Sequence, residues 1–290
     1  MPTWVLFLVP TLIWASTWHV ITYQLGSVPV LNSVTWRFAL AALCLALWAW
    51  QRGQSLRLDR RSHALMLATG VVQYFGNYWG VYEAERFLPS GLVAVLFSML
   101  VFSNALLAWW LWQQPVSRRF LAAAGGAVAG VVLVFWPELA AGGARPDAGY
   151  GLLVALGALA ASCAGGFMTM SLTRRGLPLL PVLAWSMGYG ALFMLLLSLL
   201  TGQGLHFDTG WPYVLSWLYL SLFGSVIAFA FYFKLAERAG MAKAALMAVV
   251  IPVIALLASA LFEGWQATPL ALAGMALCLL SVWVAQRQKH

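Results

Sequence analysis

The chain has 290 residues, of which 63% are hydrophobic and only 8% charged, and its mean hydropathy is +0.86. Polar groups this scarce cannot clothe a soluble globule of that length, so a bilayer is the expected solvent. The net charge of +8 comes from cations scattered over short segments, which excludes a basic module that would bind nucleic acid.

A hydrocarbon core about 30 Å thick takes roughly 20 residues of helix, and ten nearly charge-free runs of that order follow one another. They are too long and too continuously apolar for the alternating strands of a β-barrel. The expected fold class is all-α, a polytopic membrane protein of ten transmembrane helices.

The first span, Trp4–Tyr23, starts without charge and lacks a small-residue cleavage site, so it is expected to persist as a helix rather than act as a signal peptide. Trp14 and Trp18 stand at i, i+4 with Ser16 and His19 nearby, which gives this helix an aromatic and polar face. Imidazoles titrate near physiological pH. Two roles are therefore open to His19: carboxylate binding or proton shuttling beside a substrate, and packing as a hydrogen-bonded side chain. Trp18 and His19 are candidate substrate contacts.

The second span, Leu31–Trp50, carries Arg37 near its start. An Arg at a helix centre in the bilayer costs roughly 2.5–3.5 kcal/mol on insertion scales, so Arg37 needs a reason to be there. It attracts a substrate carboxylate, or it snorkels and caps a neighbouring helix. The third span, Ala64–Tyr82, places Tyr74, Tyr78 and Tyr82 at i, i+4 and i+8, with Gln73, Asn77 and Trp79 beside them. Facing inward, such a wall can stack on a flat side chain and hydrogen-bond an amino-acid head. Tyr82 also suits an interfacial aromatic belt. Asn77, Tyr78 and Tyr82 join the candidate substrate contacts.

In the fourth span, Ser90–Trp112, Ser98, Val101 and Asn104 share one side with Phe97 adjacent, and the fifth, Phe120–Trp136, is glycine-rich at Gly126–Gly130. The sixth, Tyr150–Leu172, shows Ser162, Gly166 and Thr169 with Cys163 and Phe167 adjacent. Both polar stripes either line a cavity or allow close helix packing through small residues. Phe97, Ser98, Val101, Ser162, Cys163 and Phe167 enter the candidate site on the first reading. The seventh span, Leu179–Thr201, adds Trp185 and Tyr189 as a second aromatic wall opposite Trp36. Tyr213–Phe233, Met241–Phe262 and Pro269–Ala285 complete the set. Cys44, Cys163 and Cys278 all lie within spans, without close pairing or a nearby histidine, and read as small apolar packing residues.

Lysine and arginine in short loops are retained in the cytoplasm. Counting by loop parity, 13 cations fall on one side and only Arg86 and Arg145 on the other. Both termini are thus expected in the cytoplasm, in an inner membrane. Laid against itself, the chain shows an echo: Tyr82-Glu83-Ala84-Glu85-Arg86 after the third span resembles Lys234-Leu235-Ala236-Glu237-Arg238 after the eighth. Five spans per copy force the copies to be inverted, an architecture of secondary transporters whose substrate site lies near the midplane. The expected organisation is a first repeat at 1–136, a linker at 137–149 and a second repeat at 150–290.

Several residues carry a resemblance to a known family. Leu12-Ile13-Trp14-Ala15-Ser16, Trp36-Arg37-Phe38, the small residues after each AER segment, Ile251-Pro252 followed by Glu263-Gly264, and the glycines around Gly126–Gly130 and at Gly274 are its elements. Together they resemble the EamA-type exporters of the drug/metabolite transporter superfamily, over essentially the whole chain. The first half departs from the pattern. It lacks the proline near Leu100–Phe102 and the following glutamate around Trp112–Gln114, so the fourth helix is expected to be more regular than the ninth. The resemblance implies two five-helix repeats and export of small polar or amphipathic metabolites. The aromatic first and third helices are most similar to the aromatic amino-acid exporters. It also implies that Arg37 is shared among carriers of different substrates, which favours a structural role for it.

The expected function is an inner-membrane exporter of aromatic and other neutral amino acids, working by alternating access. The span centres hold no carboxylate, which favours a facilitative mode. An exporter of organic cations, held by cation–π attraction, is the alternative. A membrane enzyme is a distant one, since no HExxH, Ser-His-acid or paired-carboxylate cluster occurs. No P-loop is present, and no cofactor or metal is expected. The partners are an amino-acid substrate and the lipid bilayer, and a monomer suffices.

Overall fold

The computed structural model describes residues 2–113, 116–140, 147–239, 247–266 and 268–286, and every regular element among them is helical. Gln114, residues 141–146 of the expected linker, and the cations Arg145, Lys243, Arg287 and Lys289 lie outside the described residues.

The helices are α1 (Thr3–Thr22), α2 (Val30–Gln51), α3 (Arg60–Thr69), α4 (Tyr78–Glu85), α5 (Ser90–Phe97), α6 (Leu100–Trp112), α7 (Arg118–Ala140), α8 (Ala148–Arg174), α9 (Leu179–Leu200), α10 (Trp211–Ser221), α11 (Ala228–Ala239), α12 (Met247–Phe262) and α13 (Pro269–Gln286). A π-helical segment, Gly70–Asn77, joins α3 to α4, and a second, Leu222–Ile227, joins α10 to α11. Helix is the form these apolar runs must take in hydrocarbon, because it satisfies every backbone donor internally. Prolines set the starts: Pro29, Pro89 and Pro178 stand just before α2, α5 and α9 in extended conformation. Asp59 caps α3, its Oδ2 accepting from Arg61 N and Ser62 N at 3.1 Å each. The Ser62 hydroxyl and these amides hold the Asp59 carboxyl below its ordinary pKa. After α2 and α9 the chain turns away through Gly53 (φ +68°) and Gly202 (φ +73°), conformations that cost other residues strain.

Seven of these helical stretches are long and apolar enough to cross a membrane: Thr3–Thr22, Val30–Gln51, Ser90–Leu111, Arg118–Trp136, Ala148–Arg174, Leu179–Leu200 and Trp211–Leu235. Val250–Phe262 and Pro269–Ala285 are shorter apolar helices. The third expected span is continuously helical from Arg60 to Glu85 but is not among the seven. Gln73, Asn77 and its tyrosines dilute its apolarity.

The expectation that the fourth span is more regular than the ninth is reversed. The fourth breaks between α5 and α6, where Ser98 N, Met99 N and Phe102 N each bond three residues back, at 3.0 Å. Ser98 Oγ donates to Val95 O at 2.7 Å, competing with the regular ladder. Over its described part, Met247–Phe262, the ninth expected span runs unbroken through Pro252 as α12; its first residues, 241–246, lie outside the described residues.

The chain forms two compact units. Unit 1 takes residues up to His19, Ala84–Leu159 and those from Phe231 onward; unit 2 takes Val20–Glu83 and Ala160–Ala230. Each unit therefore draws on both halves of the sequence. In unit 1, α7 lies against α13. A methyl group added at Gly130 would stand 2.7 Å from Gly274 O, and one at Gly274 would stand 2.6 Å from Gly130 O. The same unit packs α5 on α12 around a core that includes Leu92, Leu96, Phe102, Phe135 and Leu256. In unit 2, α2 and α9 pack along their lengths, α3 and the first π segment lie on α9, and Met66, Leu172 and Val182 form a smaller core.

Candidate functional site

Arg37 is the organising residue of unit 2. Set on α2 and only 1% exposed, it donates from Nε to Ser225 Oγ (3.1 Å) and from Nη1 to Tyr82 Oη (3.3 Å). Its Cζ lies 4.7 Å from the Tyr78 ring centroid, 5.4 Å from Phe38 and 6.0 Å from Tyr82. These partners are neutral, so the charge is held by hydroxyl dipoles and aromatic faces, a cation–π arrangement that strengthens when desolvated. Phe38 meets Tyr74 and Tyr78 edge-on at 5.0 and 4.7 Å, and Tyr74 and Tyr78 stack at 6.3 Å with 11° between planes. Tyr74 and Tyr82 are fully buried and Tyr78 half-buried.

Both π segments serve this cluster. The first carries Tyr74 and Asn77, and the second carries Ser225, whose hydroxyl also donates to Leu220 O five residues back at 2.9 Å. The wider π turn re-aims the side chains around it, and such bulges recur at functional sites. Laying Tyr82 over Lys234, as the repeat suggests, puts Gln73 on Ser225 and Gly70 on Leu222, the first residues of the two π segments. That offset was the sequence signal that could have found Ser225, the partner of Arg37 that sequence reasoning missed.

Among the other expected contacts of unit 2, Asn77 is buried on the first π segment, while Cys163 and Phe167 are buried and Ser162 half-buried on α8. The same stretch of α8 meets the π segment at Gly165 and Ala161. Trp185 is elsewhere. Its Nε1 donates to Leu56 O (3.0 Å), it stacks on Tyr189 at 5.6 Å, and it meets His63 edge-on at 4.8 Å. His63 Nδ1 is 2.8 Å from Tyr189 Oη. At 1.5 Å per residue, His63 and Tyr78 are about 22 Å apart along their helix, so the structure does not bring Trp185 to the Arg37 cluster. Trp36 instead bonds His206 O at 2.8 Å.

In unit 1 the polar centre is Glu263, just beyond α12. Its Oε1 accepts from the Ser90 hydroxyl and lies 2.9 Å from His19 Nδ1; its Oε2 accepts from Ser90 N (3.0 Å) and Ser259 Oγ (2.9 Å). Burial pushes the Glu263 carboxyl up, but the bonds from Ser90, His19 and Ser259 outweigh it and leave the pKa below the ordinary carboxylate value. His19 thus has a carboxylate partner within the protein. The expected contacts near it are packed too: Trp18 meets Phe97 edge-on at 5.2 Å, Ser98 Oγ lies 3.3 Å from Cys278 Sγ, and Val101 is half-buried against the unit 1 core. A cavity of about 400 Å³ opens beside Glu263, with Glu85, Arg86 and Asp147 on its wall. Glu263 as the partner of His19, and Ser90 as a second donor to that carboxylate, were not foreseen, since only the Glu-Gly signature pointed to Glu263.

The model of the EamA-like transporter family matches residues 1–136 and again 149–286. An uncharacterized transporter of Bacillus subtilis, YvbV, is 26% identical over 276 residues, covering 93% of this chain and 87% of its own. A probable amino-acid metabolite efflux pump of Salmonella typhimurium is 23% identical over 286 residues, covering 96% and 93%. An uncharacterized inner membrane transporter of Salmonella typhimurium, YicL, is 34% identical over 103 residues, about a third of either chain. A solved crystal structure shares the fold with a TM-score of 0.70, at 17% identity over 98% of this chain and 96% of that one. With every regular element among its described residues helical, seven stretches able to span a bilayer and one family model matching it twice, the chain belongs to the EamA-like transporter family.

Proposed function

We propose that this membrane transporter exports aromatic and other neutral amino acids across an inner membrane by alternating access, in a facilitative mode. The carrying observation is the Arg37 cluster: a buried cation with neutral partners, flanked by aromatic faces, suits a molecule that brings a carboxylate and a flat side chain. The relative named as an amino-acid metabolite efflux pump supports the substrate class. In this reading Arg37, Asn77, Tyr78 and Tyr82 touch the substrate, while His19 serves Glu263.

The proposed topology is ten crossings in two inverted repeats, at 1–136 and 150–290, with both termini cytoplasmic. Helix over the described residues of each apolar stretch supports the count, and the matched starts of the two π segments support the repeat. The cation asymmetry supports the orientation.

Counterflow of labelled phenylalanine in proteoliposomes tests the function. Flux competed by tryptophan and threonine, and reduced at least tenfold by Tyr78→Ala (about 1.4 kcal/mol), is the expected result. Uptake of a quaternary organic cation without amino-acid flux would replace this reading with a cation exporter.

A further inference from the structure

The first π segment carries two polar side chains that form no hydrogen bond with Arg37, whose donors go to Ser225 and Tyr82. Gln73 and Asn77 are 7% and 4% exposed, about one turn apart, and lie midway along the helical stretch from Arg60 to Glu85. Gln73 Oε1 and Asn77 Oδ1 have no hydrogen-bond partner. The other two buried side-chain amides among the described residues are each anchored at one end: Gln24 donates to Tyr213 O at 2.9 Å and to Ser216 Oγ although its Oε1 has no partner, and Asn32 accepts from Ser198 Oγ at 3.4 Å although its Nδ2 has none. Gln73 and Asn77 make no side-chain hydrogen bond at all. An acceptor buried without a donor is costly anywhere and more so at membrane depth. A mere packing role would be served by leucine or methionine of similar size.

Space opposite has been kept for the longer amide. A methyl group added at Gly165 of α8 would stand 2.3 Å from Gln73 Oε1 and 2.9 Å from Gln73 Cα. Beside it, a methyl group at Gly166 would meet nothing within 4 Å. Since neither amide has a partner to lose, a half-turn about its last torsion breaks no hydrogen bond. Either oxygen can therefore swing to meet a donor that arrives.

We propose that Gln73 and Asn77 form an amine-recognition site in unit 2, accepting N–H bonds from the primary ammonium group of the carried molecule. The inference rests on the transport reading for the origin of its ligand, but not on that ligand being an amino acid. Two carbonyl oxygens on one helical face suit an ammonium group with three N–H donors, and they give nothing to a fully methylated one.

Ligand-induced thermal stabilisation of the purified full chain in detergent tests the site without requiring flux. The probes are phenethylamine and its N,N,N-trimethyl analogue, which keep the ring and the charge and differ in N–H donors. Expected is a preference of at least tenfold in apparent affinity for the primary amine. The double variant Gln73→Met, Asn77→Leu should bring the ratio close to one, and Gly165→Ala, which displaces Gln73, should lower it. Because the ratio is read within one protein, the folded yield of a variant does not enter it. No preference in the wild type, or a preference unchanged in the variants, overturns the proposal, and so does a site filled by water alone, in which case neither probe stabilises. Phenylalanine counterflow separates the two readings: an erased amine preference without amino-acid flux keeps the amine site and discards the amino-acid substrate.

Discussion

Arg37 shows how one charge can be kept inside a membrane protein without an acid beside it. Its guanidinium shares two donors with hydroxyls and spreads the rest of its field over aromatic rings. Lysine cannot reproduce the planar fork or the stacking. Arg37→Lys is therefore expected to lower the thermal unfolding midpoint in detergent more than Tyr82→Phe, which removes one acceptor and costs about 1–3 kcal/mol. Glu263 poses the opposite problem, a carboxylate surrounded by donors. Its folded pKa is depressed, so its stabilisation is complete above the unfolded carboxyl value of about 4.3 and is lost as pH falls through the folded value. Glu263→Gln should unfold at a lower temperature than wild type at neutral pH, and the gap should close on acidification below that window. A gap independent of pH would sink this account. The aromatic side chains around Arg37 were legible in sequence because Tyr74, Tyr78 and Tyr82 repeat at helical spacing. Ser225 and the Ser90–Glu263–His19 group were not, because each joins residues more than 160 positions apart, and no local pattern reports such a contact.

At the scale of elements, hydrophobic length located the helices well, since a bilayer leaves the backbone few alternatives. Expected and observed ends of α1, α2 and α9, and the start of α13, differ by a residue at most, with Pro29 and Pro178 setting two of the starts. The π segments and the break after Phe97 escaped notice, because glycine, valine and serine occur throughout the other apolar stretches of this chain as well, and no spacing in the sequence marks a wider turn. The contact of α7 with α13 makes a sharper demand on sequence. With Gly130 and Gly274 backbones pressed together, Gly130→Ala should cost roughly 1–3 kcal/mol through overpacking, read as a lower unfolding midpoint. Gly157→Ala, whose added methyl group would meet nothing within 4 Å, should be neutral or slightly stabilising through helix propensity.

For the whole molecule, the orientation proposed from loop charge makes a direct prediction. In a chain freed of Cys44, Cys163 and Cys278, a cysteine at Asp208 should react with a membrane-impermeant maleimide added to intact cells, and one at Arg57 should not. The reverse labelling would invert the topology. Asp208 lies in the non-helical segment between α9 and α10, where the Gly210 N–H bond at 2.7 Å leads the interactions that keep its carboxyl pKa low. The membrane class followed from composition alone, and the repeat followed from one short echo. The division into units did not, because contiguity along the chain is a poor guide when each unit is stitched from both halves.

That stitching bears on how the protein is made. Unit 2 has all its residues once synthesis passes Ala230, whereas α7 of unit 1 packs against α13, the last helix described. As the nascent chain leaves the ribosome, α7 must wait in the lipid, its glycine face unclaimed, while much of the polypeptide is still being translated. A stop codon ahead of Pro269 would leave unit 2 with every segment it needs and α7 a permanent orphan, the kind of exposed surface that membrane proteases patrol for.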